Sequence, residues 1–151
     1  DEKAELARSH GCDHPIVTSR EKVSARVREI TAGEGVPVVY DSIGKDTFMD
    51  SLACLRPLGM MVSFGNASGP VPAFEPALLA KMGSLFLTRP TLFHYTARRA
   101  DLLAMADELF AVVAAGQVRI SVNQRYPLKD AALAHAALEA RRTTGSTVLI
   151  P

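Results

Sequence analysis

His10, Cys12 and His14 are the residues of this sequence whose types and spacing come nearest to a metal-binding motif. Structural zinc sites usually take four ligands at recognisable spacings, and no second cluster in the sequence completes this one. The other histidines and the second cysteine are isolated in separate segments. The sequence therefore predicts no metal site.

Residues for covalent or acid–base catalysis are not grouped in the sequence either. The chain shows no triad of nucleophile, base and acid, no pair of carboxylates and no lysine in a reactive setting. Asp41 is the acid at a predicted strand end, and we interpret it as the acceptor for the turn that leads to Gly44. An empty list of catalytic side chains is expected of an enzyme whose cofactor performs the chemistry.

Residues 36–69 are predicted to form the central unit of the fold, in the order strand, helix, strand and glycine-bearing loop. The first strand is an apolar run rich in β-branched residues, and apolar residues at i, i+4 and i+7 indicate the helix. The second apolar run does not alternate with polar residues, which is typical of a strand covered on both faces of a parallel sheet. The predicted elements are a strand at 36–40, a helix that packs through Phe48, Leu52 and Leu55 and ends at Leu58 and Gly59, and a strand at 60–64.

Two parallel strands joined by a helix make a βαβ unit, and ligands of such sheets bind beyond the carboxyl ends of the strands. In this unit those ends are residues 41–44 and 65–69. The rest of the chain continues the alternation of strands and helices, which is the signature of the α/β class. We predict helices at 1–10, 23–30, 76–81, 96–116 and 127–141, the last with Leu133, Ala137 and Leu138 on its inner side, and strands at 15–18, 84–88, 118–122 and 147–150.

Composition excludes several classes of protein. The 151 residues carry a net charge of +1, and the charged residues are spread along the chain. No basic stripe of a nucleic-acid-binding protein is present, and no stretch approaches the roughly 18 apolar residues of a membrane span. Two cysteines without a secretory leader fit a reducing compartment. We expect a soluble cytoplasmic protein without nucleic-acid or membrane partners.

The sequence resembles a known family at three places. VVYDSIG followed by SLACLRPLGMMVSFGN resembles the second half of the nucleotide-binding domain of the zinc-independent medium-chain dehydrogenases/reductases, in particular the NADPH:quinone oxidoreductases related to zeta-crystallin. YPLKDAALAHAALEARRTTGSTVLIP is similar to that family's closing helix and strand, and EKAELARSHGCDHPI extends the resemblance over nearly the whole chain. The resemblance implies a doubly wound parallel Rossmann sheet at residues 1–116 whose first βαβ unit is missing, and a segment at 117–151 that returns to the catalytic domain.

The function implied by the resemblance is the transfer of hydride or electrons from NADPH to a quinone-like acceptor. An enoyl reductase of the same fold is the nearest alternative, and a structural, dimerising half-domain without catalysis is another. A Rossmann fold holds the cofactor pyrophosphate at a glycine-rich turn, and neither Gly33-x-Gly35 nor residues 65–69 have its spacing. We therefore expect the phosphate-binding turn, and the domain that covers the substrate, to lie upstream of Asp1.

The resemblance also implies which residues bind NADPH. Lys3 lies where a cation neutralises the 2′-phosphate, although a solvated helix lysine is the alternative reading. A hydroxyl at Thr18, or at its neighbour Ser19, stands where some relatives place a tyrosine beside the same phosphate. Arg141, or the adjacent Arg142, reaches toward the cofactor phosphates, unless these cations only complement the helix dipole. The residues expected on the nicotinamide side are Ser42, Phe64, Gly65 and Asn66.

Two expectations about assembly follow. In the strand order 3-2-1-4-5-6, the strand at 15–18 is the third and the strand at 36–40 is the fourth, so two further strands should lie between them across roughly 14 Å. We therefore expect that these residues alone have no reductase turnover. The resemblance implies a homodimer joined through the apolar edge strand from Ser84 to Thr88.

Overall fold

The computed structural model describes residues 2–151 and alternates helices with strands that pair in parallel. The predicted α/β class is confirmed. Asp1, the first residue of the first predicted helix, lies outside the described residues. The elements are α1 (Glu2–Ser9), α2 (Val23–Ile30), β1 (Val36–Asp41), α3 (Phe48–Cys54), β2 (Leu55–Ser63), α4 (Ala77–Lys81), β3 (Phe86–Thr88), α5 (Leu92–Tyr95), α6 (Arg99–Ala114), β4 (Val122–Pro127), a short 3-10 helix (Leu128–Asp130), α7 (Ala131–Glu139) and β5 (Ser146–Ile150).

The chain divides into two compact units, one within residues 2–94 and the other at Tyr95–Pro151. The first unit contains a parallel sheet in the order β1-β2-β3, and the second contains the parallel pair β4-β5. The functional division predicted between residues 116 and 117 concerns the parts of a longer protein and stays a prediction.

The hydrophobic core lies on one face of the three-stranded sheet. Phe48 and Leu52 of α3 are buried against Leu55 and Met61 of β2, together with Leu85. The predicted helix face is confirmed for Phe48 and Leu52, whereas Leu55, at the i+7 position, is buried as a residue of β2 instead of the helix. Burial of each such side chain contributes about 1.5–3 kcal/mol, so this packing fixes α3 along the sheet.

The opposite face of the sheet is open among the described residues, and the prediction that the second strand is covered on both faces is wrong for them. Met61 is fully buried, whereas its neighbour Met60 is 40% exposed. Val38, Met60 and Phe86 are paired across the three strands and are all partly exposed. The core residues of α3 and α4 pack on the face that carries Met61. Buried and exposed residues therefore alternate along β2.

The predicted end of α3 at Leu58 and Gly59 is also wrong. The helix ends at Cys54, because Leu55 adopts an extended conformation and pairs with Val36 in the ladder. The register then shifts, and Val38 pairs with Met60. Leu58 lies in this irregular segment with a φ of 60°. The pairing of β2 with β1 thus ends the helix earlier than the spacing of apolar residues predicts.

Residues Pro15 to Thr18 do not form the predicted strand. Residues 15–17 are irregular, and a turn begins at Thr18. A strand needs a ladder partner, and among residues 2–151 none lies beside this segment. In the same residues β1 pairs only with β2, so its other edge is open.

Several further bounds differ from the prediction. The strand β4 occupies Val122–Pro127 instead of residues 118–122, because its partner β5 pairs with those residues. Ser84 has a φ of 55° and lies outside β3, which begins at Phe86. The helix α6 begins at Arg99 instead of residue 96.

Of the three residues predicted on the inner side of α7, only Ala137 lies there. Leu133 and Leu138 are 62% and 58% exposed, whereas Ala134 is buried. Ala131 and Ala137, three residues to either side of Ala134, are half-buried. The face that carries these alanines is the inward one, because positions three apart share a side of a helix and small residues permit close approach.

Among residues 2–151 we find no helix that is long and apolar enough to cross a membrane.

Candidate functional site

The loops that follow β1 and β2 form one structure, which we call the strand-end platform and define as residues 41–46 and 64–69. The backbone N–H of Ala67 donates to the carbonyl of Ser42 at 3.2 Å, and that of Ser68 donates to the carbonyl of Ile43 at 2.8 Å. The N–H of Lys45 donates to the carbonyl of Gly69 at 3.1 Å. The platform lies at the carboxyl ends of parallel strands, where ligands of such sheets bind.

Two glycines allow the two loops of the platform to approach each other. A Cβ atom on Gly65 would collide with the backbone of Ser42. A Cβ atom on Gly44 would lie 2.6 Å from the carbonyl oxygen of Gly69, and Gly44 has a φ of +91°. Any larger residue at either position would push the loops apart, so the geometry depends on bare backbone.

Asp41 is the buried anchor of the platform. Its Oδ1 atom accepts the N–H groups of Ile43 at 2.7 Å and Gly44 at 3.1 Å. Its Oδ2 atom accepts the hydroxyls of Thr47 and Ser51, both at 2.7 Å. The interpretation of Asp41 as a turn acceptor is confirmed.

The charge state of Asp41 follows from this environment. Burial by itself raises the pKa of the carboxyl group, but the hydrogen bonds from Ser51, Thr47 and the amides of Gly44 and Ile43 outweigh it. The pKa therefore lies below its ordinary value. Asp41 is an anion at neutral pH although it is buried.

A family model described as zinc-binding dehydrogenase matches residues 10–149. The chain belongs to this family. A quinone oxidoreductase of Pseudomonas aeruginosa is 55% identical over 150 residues, a match that covers 99% of this chain and 46% of that protein. A 2-haloacrylate reductase of Burkholderia is 49% identical over 154 residues, covering 100% of this chain and 46% of that protein.

The solved structures agree with the sequence comparison. The crystal structure of the Escherichia coli quinone oxidoreductase complexed with NADPH matches with a TM-score of 0.94 at 45% identity, over 99% of this chain and 47% of that one. The resemblance to quinone oxidoreductases and to their Rossmann-like cofactor domain is thereby confirmed. The chain spans about half the length of the curated relatives it matches, with 46% of the first of them covered.

The structure brings together four of the predicted cofactor residues. Ser42, Gly65 and Asn66 belong to the platform, and Phe64, which is 49% exposed, donates its N–H to the carbonyl of Asp41 at 2.9 Å. Their roles in binding a cofactor stay predictions.

The three other predicted residues lie elsewhere in the chain. Thr18 is exposed and lines the same open cavity of about 980 Å³ as Ser42, along the free edge of β1. Lys3 is exposed on α1. Arg141 follows α7 in the second compact unit, where it is exposed and has a φ of 56°. Their roles likewise stay predictions.

Sequence reasoning missed the hydroxyls that hold Asp41. Thr47 and Ser51 are four residues apart at the beginning of α3, so both face the end of β1. It also missed Arg28 of α2, whose guanidinium donates to the carbonyls of Gly33, Glu34, Ala53 and Leu55. The spacing of Thr47 and Ser51 was a usable signal, whereas the partners of Arg28 lie up to 27 residues away and leave no local pattern.

A second, smaller pocket of about 220 Å³ lies beside the platform. The rings of Phe48 and Phe74, whose centroids are 5.1 Å apart, form part of its wall, and Asn66 and Arg89 also line it. Among residues 2–151 no carboxylate is paired with Arg89, whose guanidinium donates to the carbonyl of Pro90 at 3.3 Å. An aromatic wall beside an exposed cation suits a small planar or anionic molecule.

The cysteines and histidines of the described residues are dispersed. Among residues 2–151 no group of three or more His, Cys, Asp or Glu side chains is placed to hold a metal ion. The ring Nδ1 of His10 lies 2.9 Å from the carbonyl oxygen of Leu6. Cys54 is buried as predicted for an apolar filler, and burial together with Asp50 raises the pKa of its thiol. Zinc independence stays a prediction.

The pKa of Asp41 generates a prediction about stability. The pKa of Asp41 is lower in the folded than in the unfolded chain. The carboxylate therefore makes its full contribution to the free energy of unfolding at pH values above its pKa in the unfolded chain, which is about 3.9. That contribution is lost as the pH falls below this value toward the folded pKa. Urea unfolding between about pH 6 and pH 2 should therefore show a steeper loss of stability for the natural chain than for Asp41→Asn. Parallel pH profiles for the two proteins would contradict the assignment.

Proposed function

We propose that this chain is the cofactor-side half of an NADPH-dependent oxidoreductase that reduces a quinone-like acceptor. The observation that carries the proposal is the strand-end platform, in which two loops pack backbone on backbone and Asn66 lies exposed at the carboxyl ends of β1 and β2. Relatives of about 50% identity named quinone oxidoreductases support it, as does one solved in complex with NADPH.

The residues of the platform fit the nicotinamide end of a dinucleotide. Gly44 and Gly65 let the two loops pack backbone on backbone, and Ser42 and Asn66 offer polar side chains at the same edge. We assign the phosphates to Lys3, Thr18 and Arg141, with residues 1–116 as the nucleotide-binding part and 117–151 as the segment that returns to the catalytic domain. When bound, NADPH supplies the hydride, and these residues bind and orient it.

The acceptor is less narrowly defined than the cofactor. The similarity to a 2-haloacrylate reductase at 49% identity favours a second candidate, the reduction of a carbon–carbon double bond beside a carboxylate. We place the acceptor in the pocket of Phe74 and Arg89. A neutral quinone would use the aromatic wall, whereas an acrylate would also pair with the guanidinium.

Three further properties belong to the same proposal. We expect a cytoplasmic, zinc-independent enzyme that forms a homodimer through β3.

The strand β3 pairs only with β2 among the described residues, and Phe86 on it is 57% exposed, so its free edge suits a two-fold strand pairing. Light scattering at high micromolar concentration should give a dimer, and a monomer there would contradict this contact.

Cofactor preference tests the assignment of Lys3. In the protein that contains this chain, Lys3→Glu should weaken NADPH binding by about 10-fold or more and leave NADH nearly unchanged, because a charge-assisted contact is worth roughly 1.5–3 kcal/mol and only NADPH carries the 2′-phosphate. Fluorescence titration with each cofactor measures both affinities. Lys81→Glu, an equally exposed helix lysine on α4, is the matched control and should change neither. An equal loss for both cofactors with Lys3→Glu would contradict the assignment.

Substitution of Arg89 distinguishes the two candidate acceptors, a quinone and an acrylate. We expect Arg89→Leu to lower kcat/KM for 2-chloroacrylate by about 10-fold or more and to change benzoquinone reduction by less than about 3-fold, because only the acrylate carries a carboxylate for the cation. Arg89→Lys keeps the charge and should recover much of the loss. If Arg89→Leu reduces 2-chloroacrylate as well as the natural protein does, Arg89 does not bind the carboxylate of the acceptor.

A further inference from the structure

Asp41 is a buried carboxylate that lies outside the predicted set of cofactor-binding residues. It is 4% exposed, and its two oxygens are surrounded by four donors, which are two backbone N–H groups and two hydroxyls. A carboxylate is an acceptor with about four lone-pair directions, so the donors match its capacity. An asparagine at position 41 would point the N–H groups of its side-chain amide at some of these donors, and those contacts could not be hydrogen bonds.

The contacts of Asp41 reach the first loop of the platform, the beginning of α3 and the end of β2. Its side chain holds the turn of Ile43 and Gly44, and through Thr47 and Ser51 it fixes that turn to the beginning of α3. Its backbone carbonyl accepts the N–H of Phe64 at 2.9 Å, which joins the turn to the end of β2. One residue therefore ties β1, α3 and β2 together at the edge where the platform lies.

The position of the turn determines the position of the second loop. Gly65 packs directly on the backbone of Ser42, and Gly44 packs on Gly69, with no room for a side chain in either place. Because these contacts are backbone on backbone, a shift of the first loop must move the second. The alignment of Gly65 and Asn66 thus depends on the hydrogen bonds of a carboxylate that lies beneath them.

We propose that Asp41, held by Thr47 and Ser51, is a positioning residue that sets the geometry of the nicotinamide-side platform. This inference rests on the proposed function and deepens it, since it assigns a role to three residues that the resemblance to quinone oxidoreductases left without one. Asp41 acts through Ser42, Gly65 and Asn66. The hydroxyls keep the carboxylate charged and aligned.

The test removes the two hydroxyls and keeps the carboxylate. In the protein that contains this chain, Thr47→Val combined with Ser51→Ala leaves the two backbone N–H groups on Asp41 and retains side chains of similar volume. We expect kcat/KM for NADPH to fall by about 10- to 100-fold, because a misplacement of about 1 Å at a reacting centre has an effect of that order. Thr47→Ser, with Ser51 unchanged, keeps a hydroxyl at both positions. Its kcat/KM for NADPH should therefore stay close to that of the natural protein.

Ser24→Ala is the matched control, because it removes another hydroxyl from a carboxylate. Ser24 donates to Asp50 between α2 and α3, away from the platform. It should lower the melting temperature and leave kcat/KM for NADPH within about 2-fold. If the control lowers kcat/KM as much as the platform variant does, the effect is one of general stability and the inference is wrong.

The outcomes also separate this inference from the function on which it rests. A natural protein that neither binds nor oxidises NADPH would overturn the proposed function and the inference with it. A natural protein that uses NADPH, together with a folded Thr47→Val, Ser51→Ala variant of unchanged kcat/KM, would overturn the positioning role alone.

Discussion

The parallel pairing of β1 with β2 is the constraint on which the rest of the site depends. The register places Asp41 opposite Ser63, so the two strands end at the same level and their loops meet at one edge. The core that holds this pairing is built from the face of α3 that carries Phe48 and Leu52. Packing on one side of the sheet thus determines where the backbone groups of the platform lie.

The platform combines close backbone packing with a buried charge. Burying a carboxylate costs free energy unless its oxygens are hydrogen-bonded, and the donors around Asp41 offset that cost and lower its pKa. The same donors belong to the turn and to the beginning of α3, so the charge can be buried only if these segments are in place. This coupling turns a local hydrogen-bond pattern into a fixed arrangement of two loops. Such pre-organisation is what a cofactor that does its own chemistry requires of a protein.

The sequence predicted those features that depend on local pattern. The buried face of α3, the βαβ order and the strand-end position of Gly65 all follow from spacing and residue type, and they agree with the structure. The features that depend on distant partners were predicted wrongly or missed. Residues 15–18 have strand-like composition and no ladder partner among the described residues, and Leu133 belongs to a helix whose inward face is made of alanines instead. The resemblance supplied the cofactor, because no glycine-rich phosphate turn is present in these residues.

We propose that the strand-end platform receives the nicotinamide end of NADPH. Amide chemical shifts of the isotope-labelled protein, followed during a titration with NADPH, test it most directly. We expect saturable shifts in the micromolar range at Ser42, Gly65 and Asn66, with smaller shifts for the same residues when NADH replaces NADPH at equal concentration. Amides of the platform that stay unchanged up to millimolar NADPH, whether or not other residues respond, would contradict it.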